Sequence, residues 1–449
     1  MTQSAYEIRV CMDIGSQKHY VAIGLSSGQH LDEFEFLHTP QGIEQFFIRL
    51  EKLQEKYNLP ISVAMEGYNG YARPLDLYVL EKGYRLYNVN NTKLARFKEI
   101  FPAPAKSDPI DAWKIFELFT MKDTLPLAKN ALQEVEKPSE VVEKLKAITR
   151  RRRELVNEKT RIMNRIQADL EAICPGILSL TGSVDNIWFL NFLIFRDDIT
   201  QLKRLHRSSI LQIKGVGKKY ADLVQSWQRT AKFAPSTSWM GDMIIRDAKR
   251  ILELVREITV LEKANEELIP QSEIASRLMS IPGFGPICSG ELAGEIGVIN
   301  RFSKEASLAM YLGMGVLDKS SGKQVGTKRP RNVNVRAKAA MMVAVARHAE
   351  NVSEAKQYYD KKRSEGKKHN QALRSLGRQL VRVIWSMMKY NRDYIEKEQN
   401  VKFAGVSEER STATCCWEQQ RTDSSKGIIV KNSPRPFGEE TRLLVVGSS

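Results

Sequence analysis

The sequence predicts an α/β domain with a mixed sheet at the N-terminus, joined to a mostly helical remainder that begins as a long arm. Three observations carry this. Apolar runs with a period of two, the mark of half-buried strands, are concentrated before residue 90. From Val141 onward the apolar residues recur at helical spacing. Between these regions, four acids stand at two strand tips and one helix start: Asp13, Glu66, Asp108 and Asp111.

The first strand runs from Ile8 through Asp13, and His19 to Leu25 and Leu31 to Phe36 complete a three-strand meander. Gly15-Ser-Gln-Lys18 and Ser26-Ser-Gly28 supply its turns. The period then changes, with Ile43, Phe46, Phe47, Leu50 and Leu53 on one helix face. A strand from Ile61 to Glu66, a helix over Arg73 to Lys82, a strand from Tyr84 to Val89 and a helix opening at Asp108 follow. A meander followed by alternating helix and strand is the order of an RNase H-like fold. That fold gathers acids from its first strand, its fourth strand and a late helix, where this chain places them.

Within Lys106-Ser-Asp108-Pro-Ile-Asp111-Ala112, Asp108 suits the N-cap, Pro109 the first helical position and Asp111 the third. Carboxylates this close repel unless a cation lies between them. Alone, such a pair is more often a capping pair on a solvated helix. With Asp13 and Glu66 each ending a short apolar strand, the four become a candidate two-magnesium site for phosphodiester oxygens.

A chain of 449 residues is long enough for two or three units. Its 69 Lys and Arg against 53 Asp and Glu give a net charge of +16, which favours a polyanionic partner, nucleic acid first. The five cysteines are scattered and form no C-x-x-C pair, so they read as reduced thiols in the cytoplasm rather than as a disulfide framework. No run approaches roughly 18 apolar residues. The N-terminal MTQSAYEIRV lacks a signal-peptide apolar region, so neither membrane insertion nor secretion is expected.

Leu145, Ile148, Leu155, Ile162, Ile166 and Leu170 keep a coiled-coil stripe up to Pro175, and Ile244, Ile251, Val255, Ile258 and Leu261 form a second up to Pro270. The two suit either an antiparallel arm or a dimer interface. Arg150, Arg151, Arg152 and Arg153 interrupt the first stripe, as a solvated face or a phosphate-contacting one. Turns at Gly215-Val-Gly217 and Gly283-Phe-Gly285 each lead into an apolar helix, either as backbone cradles for phosphate or as tight helix connections. Past Phe302, Leu308 and Tyr311, a hydroxyl-rich, basic loop runs from Gly313 to Arg331. Helices over Ala337 to Ala349 and Ala372 to Tyr390 follow, and from Gly405 to Ser449 the periodicity fades, as in disordered chain.

Taken together, Asp13-Ile-Gly15, Glu66 before Gly-Tyr-Asn-Gly-Tyr71, Asn88-Val-Asn90, the Asp108 stretch, Ile281-Pro-Gly283-Phe-Gly285, Phe302, Gly313 through Ser321-Gly322, and Arg336 resemble a known family in order and spacing. It is the DEDD-type transposases of bacterial insertion sequences, related to pilin-gene-inverting recombinases and guided in several members by a structured bridge RNA. The resemblance spans about residues 6 to 395. It implies a RuvC-like (RNase H-like) nuclease domain over 1–130, a helical coiled-coil arm over 131–272 and a helical transposase domain with a catalytic serine loop over 273–398, while composition alone predicts a disordered tail over 399–449.

The resemblance implies further that Asp13, Glu66, Asp108 and Asp111 bind Mg²⁺, and that Ser321, eight residues after Gly313, attacks DNA, with Ser320 as its rival. A hydroxyl needs a base or metal for activation and cations around the phosphate, which Lys323, Lys328, Arg329, Arg331 and Arg336 can supply. DNA, a guide RNA and further copies of the chain in a homodimer or tetramer are the expected partners, in a nucleoid-associated protein. Three other readings stand beside this: an invertase of the same family, a Holliday-junction-type endonuclease using the acids alone, and a non-catalytic nucleic-acid-binding protein.

Overall fold

In a computed structural model, described for residues 7–66, 73–100, 108–124, 131–235, 238–321, 324–328, 330 and 333–395, the N-terminal part is built on one mixed sheet. β1 (Ile8–Ile14), β2 (Lys18–Leu25) and β3 (His30–Leu37) form the antiparallel meander. β1 then pairs in parallel with β4 (Ile61–Met65), and β4 in parallel with β5 (Arg85–Val89). A short β6 (Leu132–Glu134) runs antiparallel to β5, giving the order β3-β2-β1-β4-β5-β6. The connections carry α1 (Pro40–Tyr57), α2 (Arg73–Glu81), α3 (Asn91–Lys98) and α4 (Asp108–Thr124). Neither β6 nor α3 is legible in the sequence: three residues are too few to show a period, and α3 buries only Leu94 and Phe97.

Alternation along β1 decides what each face does. Ile8, Val10 and Met12 pack with Phe46, Phe47 and Leu50 of α1 and with Leu75 and Val79 of α2. Cys11 points the other way, into a core with Leu94 and Phe97 of α3 and Ile115, Phe116 and Phe119 of α4. Each of these fully buried aromatics contributes roughly 1.5–3 kcal/mol by leaving water. Gly24 of β2 lets α4 lie close, since a Cβ there would stand 2.5 Å from Phe116 Cζ.

The two coiled-coil stripes meet within one chain. Ser139 caps α5 (Glu140–Ile173) by accepting from Val142 N, and a set of short helices, α6 (Ile187–Leu193), α7 (Arg207–Leu211) and α8 (Lys218–Thr230), leads to α9 (Ser238–Leu268). Ion pairs Arg165–Asp247, Arg250–Glu158 and Arg152–Glu262 climb α5 as they descend α9, so the pair is antiparallel. Leu155, Ile162, Ile166 and Leu170 share a core with Ile244, Ile251 and Ile258, capped by Trp188, Phe189, Phe192 and Trp227 from the short helices. The stripes are therefore consumed by the arm itself. Of the two readings open in the sequence, the antiparallel arm is the one these contacts support.

Beyond the arm lie α10 (Glu273–Met279), α11 (Pro286–Ile296), α12 (Glu305–Tyr311), α13 (Val335–Asn351), α14 (Ser353–Ser364) and α15 (His369–Lys389), the last two of α13 to α15 following without a long break. Leu292, Met341, Val345, Leu380 and Ile384 interlock α11, α13 and α15. The segment expected as a loop from Gly313 to Arg331 instead contains a hairpin, β7 (Leu317–Ser321) and β8 (Gln324–Lys328), in register from Leu317–Lys328 to Ser321–Gln324. Both strands are polar on both faces, which erases the alternation that marks a strand, although Gly322-Lys323 is good two-residue hairpin chemistry.

Both glycine turns are explained by packing. Gly283 has φ +90°, and a Cβ there would stand 2.4 Å from His348 N on α13, while His348 Nδ1 bonds Pro282 O at 2.7 Å. Gly215, at φ +88°, would press on Trp188 Cβ at 3.1 Å. Of the two readings open in the sequence, the tight helix connection is the one the geometry supports. Gly283→Ala is expected to destabilise the protein by about 2–4 kcal/mol through left-handed strain and a backbone clash, read as a lower denaturation midpoint. No helix of the described residues is long and apolar enough to cross a membrane. The expected disordered tail over 399–449 lies outside the described residues.

Candidate active site

The same strand alternation that builds the α4 face aims the acids. Asp13 follows Cys11 by two residues on β1, and Glu66 follows Ala64 by two at the end of β4, and both Cys11 and Ala64 lie in the core under α4. Because Met12 pairs with Met65, Asp13 and Glu66 stand one step further on, at adjacent tips of parallel strands roughly 4.8 Å apart. Asp111, buried on the first turn of α4, is carried by the helix that covers this face of the sheet. Trp113 and Phe116 fix that turn: the Trp113 ring stacks on His30 at 3.7 Å, and its Nε1 donates to Glu33 Oε2 at 2.6 Å.

Lys98, at the end of α3, links two of these acids. Its Nζ lies 3.0 Å from Asp111 Oδ2 and 4.0 Å from Glu66 Oε2, and Lys114 Nζ approaches Asp111 Oδ1 at 3.8 Å. α3 is held in place by Asn90, whose side chain accepts from Lys93 N at 3.1 Å, and by its two buried apolar residues. Lys98 was not singled out in the sequence. The signal existed in Asn90 as a helix cap followed by Leu94 and Phe97, three residues apart. Nearby Cys11 is no rival ligand, because burial pushes its thiol far up and keeps it protonated.

The structure thus brings together Glu66 and Asp111 through Lys98, with Asp13 on the neighbouring strand tip. Asp108 begins α4, and its side chain lies outside the described residues. Among the described residues, no three His, Cys, Asp or Glu side chains form a close-set metal group. The donor chemistry nevertheless fits a hard divalent cation, since oxygens of two carboxylates from separate elements already converge on one positive charge.

Ser320 and Ser321 end β7, with side chains outside the described residues, as are Lys323, Arg329 and Arg331 altogether. Lys328 and Arg336 are exposed, one at the end of β8 and the other in the first turn of α13. A cavity of about 390 Å³ lies between β6, α5 and α11, and a larger one of about 940 Å³ opens beside the hairpin, lined by Lys328, Lys338, Lys367, Arg374 and Arg378. Among these cations, Arg378 is paired with Glu305 and Lys367 with Glu365. The second cavity is a basic groove at the end of the hairpin where Leu317 pairs with Lys328.

The arginine run does something other than face phosphate. Arg150 binds both oxygens of Glu295 at 2.6 and 2.8 Å, Arg153 both oxygens of Glu291 at 2.6 Å, and Arg152 holds Glu262 of α9. Only Arg151 stands largely exposed, beside Glu154 at 3.7 Å. On an α-helix, four consecutive residues point in four directions, and three of these directions meet acids of α9 or α11. The expectation of a phosphate-contacting face is corrected for Arg150, Arg152 and Arg153: they fasten the arm to the C-terminal helices.

Glu295 is the hub of that fastening. Asn334 Nδ2 donates to its Oε2 at 2.7 Å and to Tyr311 Oη at 2.6 Å, and Tyr311 Oη in turn bonds Glu295 O at 2.8 Å. Tyr311 precedes the hairpin and Asn334 follows it, capping α13 by accepting from Arg336 N and Ala337 N. Burial acts to raise the Glu295 carboxyl, but hydrogen bonds from Arg150 and Asn334 prevail and hold it below the usual carboxylate range. A carboxyl lowered in the folded state stabilises above its unfolded value of 4.5, and that stability is lost as pH falls through the lower folded value. Acid denaturation below pH 4.5 should therefore steepen with Glu295 intact and flatten in Glu295→Gln, measured by circular dichroism against pH.

Comparison with known proteins gives the class. A family model described as a transposase matches residues 10–175, which hold the four acids and α5, and one described as the transposase IS116/IS110/IS902 family matches residues 275–360, which hold the hairpin and α13. The chain is a DNA transposase, and as such it binds DNA.

It is 23% identical over 397 residues to the 44.8 kDa protein of insertion element IS116 from Streptomyces clavuligerus, covering 86% of this chain and 95% of that one. To the 43.6 kDa protein of IS110 from Streptomyces coelicolor it is 22% identical over 386 residues, 84% of this chain and 93% of that one. To the 42 kDa protein of IS900 from Mycobacterium paratuberculosis it is 22% identical over 386 residues, 84% and 94%. The chain belongs to the IS110/IS116 family of insertion-element transposases.

Proposed function

We propose that this transposase cuts and rejoins DNA with a DEDD carboxylate set, Asp13, Glu66, Asp108 and Asp111, and with Ser321 as nucleophile. The observation that carries the reading is the convergence of Glu66 and Asp111 on one cation, with Asp13 on the adjacent tip of a parallel strand in the sheet order β3-β2-β1-β4-β5-β6. Mg²⁺ held by these acids supplies Lewis-acid polarisation of the scissile phosphate. Ser321 Oγ gives up its proton and forms a bond to phosphorus as the bond to the leaving strand oxygen breaks, and that oxygen takes up a proton, so none is gained or lost overall. The phosphoserine keeps the energy of the phosphodiester for rejoining. Lys328, Lys338 and Lys367 neutralise phosphates in the groove beside the hairpin, and Arg336, exposed in the first turn of α13, adds a further cation.

The same groove is our proposed seat for a structured guide RNA, in line with the RNA-guided members that the sequence resembles. The acids and Ser321 lie in different parts of the chain, so cleavage needs both, from one chain or from two in a homodimer or tetramer. The test is the reaction of the purified protein with its element's DNA ends in Mg²⁺. Joined strands that require both Glu66 and Ser321, with Ser320→Ala comparatively mild, support the reading. Nicking that needs the acids but proceeds unchanged in Ser321→Ala makes the protein a hydrolytic nuclease instead.

A further inference from the structure

We propose that Lys98 is the resident counter-cation of the acid site, holding Glu66 and Asp111 together before metal binds and giving way to a divalent cation. The inference rests on the reading of the acids as a metal site. Its ground is position: one ammonium reaches Asp111 Oδ2 at 3.0 Å and Glu66 Oε2 at 4.0 Å, from a third element, α3. Asp111 is buried and Glu66 half-buried, so without a cation between them their repulsion would be poorly screened.

Lysine suits a temporary occupant. An arginine fork would grip both carboxylates in fixed planar geometry, whereas the ammonium is a point charge on a flexible stem. The Lys98 side chain keeps 24% of its exposure, which gives it a path toward water. A divalent ion takes carboxylate oxygens at about 2.1 Å for Mg²⁺ and cannot share that space with an ammonium, which it also repels. Lys98 must therefore withdraw when the ion enters. A DNA phosphate arriving with the ion offers the displaced charge a new partner. Lys114, on the outer side of Asp111, is placed to remain.

The consequence is competition. Removing the Lys98 charge should tighten divalent binding in the absence of DNA, opposite to the weakening expected from removal of an acid. The experiment is titration of the full-length protein with Mn²⁺, followed by electron paramagnetic resonance of the free ion, for the wild type, Lys98→Met, Lys98→Arg and Asp111→Asn. Lys98→Met is expected to bind about tenfold more tightly than wild type, Lys98→Arg no more tightly than wild type, and Asp111→Asn more weakly. Thermal melts without metal check folding, and Lys98→Met should melt lower, since Glu66 then loses its Lys98 partner and Asp111 keeps only the more distant Lys114. Asp111-dependent Mn²⁺ binding that Lys98→Met leaves equal or weakens overturns the role of Lys98 and spares the metal site. Absence of any Asp111-dependent Mn²⁺ binding in wild type and Lys98→Met alike overturns both.

Discussion

Replacing Glu66 with Gln is expected to lower DNA strand cleavage at least about a thousand-fold, a rise of about 4 kcal/mol in the barrier, while leaving the fold intact. The change keeps shape and removes one charge from a half-buried side chain that pairs with Lys98. Hard cations depend on anionic oxygens, and a neutral amide in place of one carboxylate weakens both the charge and the geometry of the site. Asp13→Asn, on the adjacent strand tip, should act in the same way. The measurement is cleavage of DNA carrying the element's ends, with circular dichroism to confirm folding. Cleavage within tenfold of wild type would remove Glu66 from the mechanism.

Arg150→Ala is expected to produce the largest loss of stability of any single charge, about 3–5 kcal/mol. The cost comes from what remains: Glu295, whose side chain is 1% exposed, would keep its negative charge without the bidentate partner. Asn334 alone cannot neutralise it, and Asn334 is also the cap of α13, the helix that follows the serine hairpin. Loss of stability should therefore come with poorer strand joining. The double variant Arg150→Met/Glu295→Gln should recover much of the stability, since no bare charge is then buried. Denaturant unfolding of the two single variants and the double one measures the coupling. A coupling near zero would mean that the arm and the hairpin are fastened elsewhere.

How much of this was legible in the sequence depended on whether a residue's role was local. β1 to β5, α1 and α4 announce themselves through period and turn chemistry, and Asp13, Glu66 and Asp111 through their places at the ends of those elements. The pairing of the two stripes was left open because a coiled-coil pattern specifies an apolar seam and not its partner. Only the ladder from Arg165–Asp247 to Arg152–Glu262 identifies that partner as α9 of the same chain. Lys98 and Glu295 were missed for a different reason. Each acts through groups tens to hundreds of residues away, and no local spacing records that Arg150 meets Glu295 or that Lys98 meets Glu66. The hairpin at Ser321 was hidden by polarity on both strand faces, which leaves no alternation to mark a strand.

The central claim, that strand joining passes through a serine in this hairpin, is tested most directly by trapping. The protein is incubated with Mg²⁺ and DNA ends, denatured and digested, and the peptide spanning β7 and β8 is examined by mass spectrometry. The account predicts a nucleotide phosphate bonded to Ser321, absent in Ser321→Ala and in Glu66→Gln. Joining at the normal rate by Ser321→Ala, or an adduct on Ser320 or on another residue in its place, would contradict it.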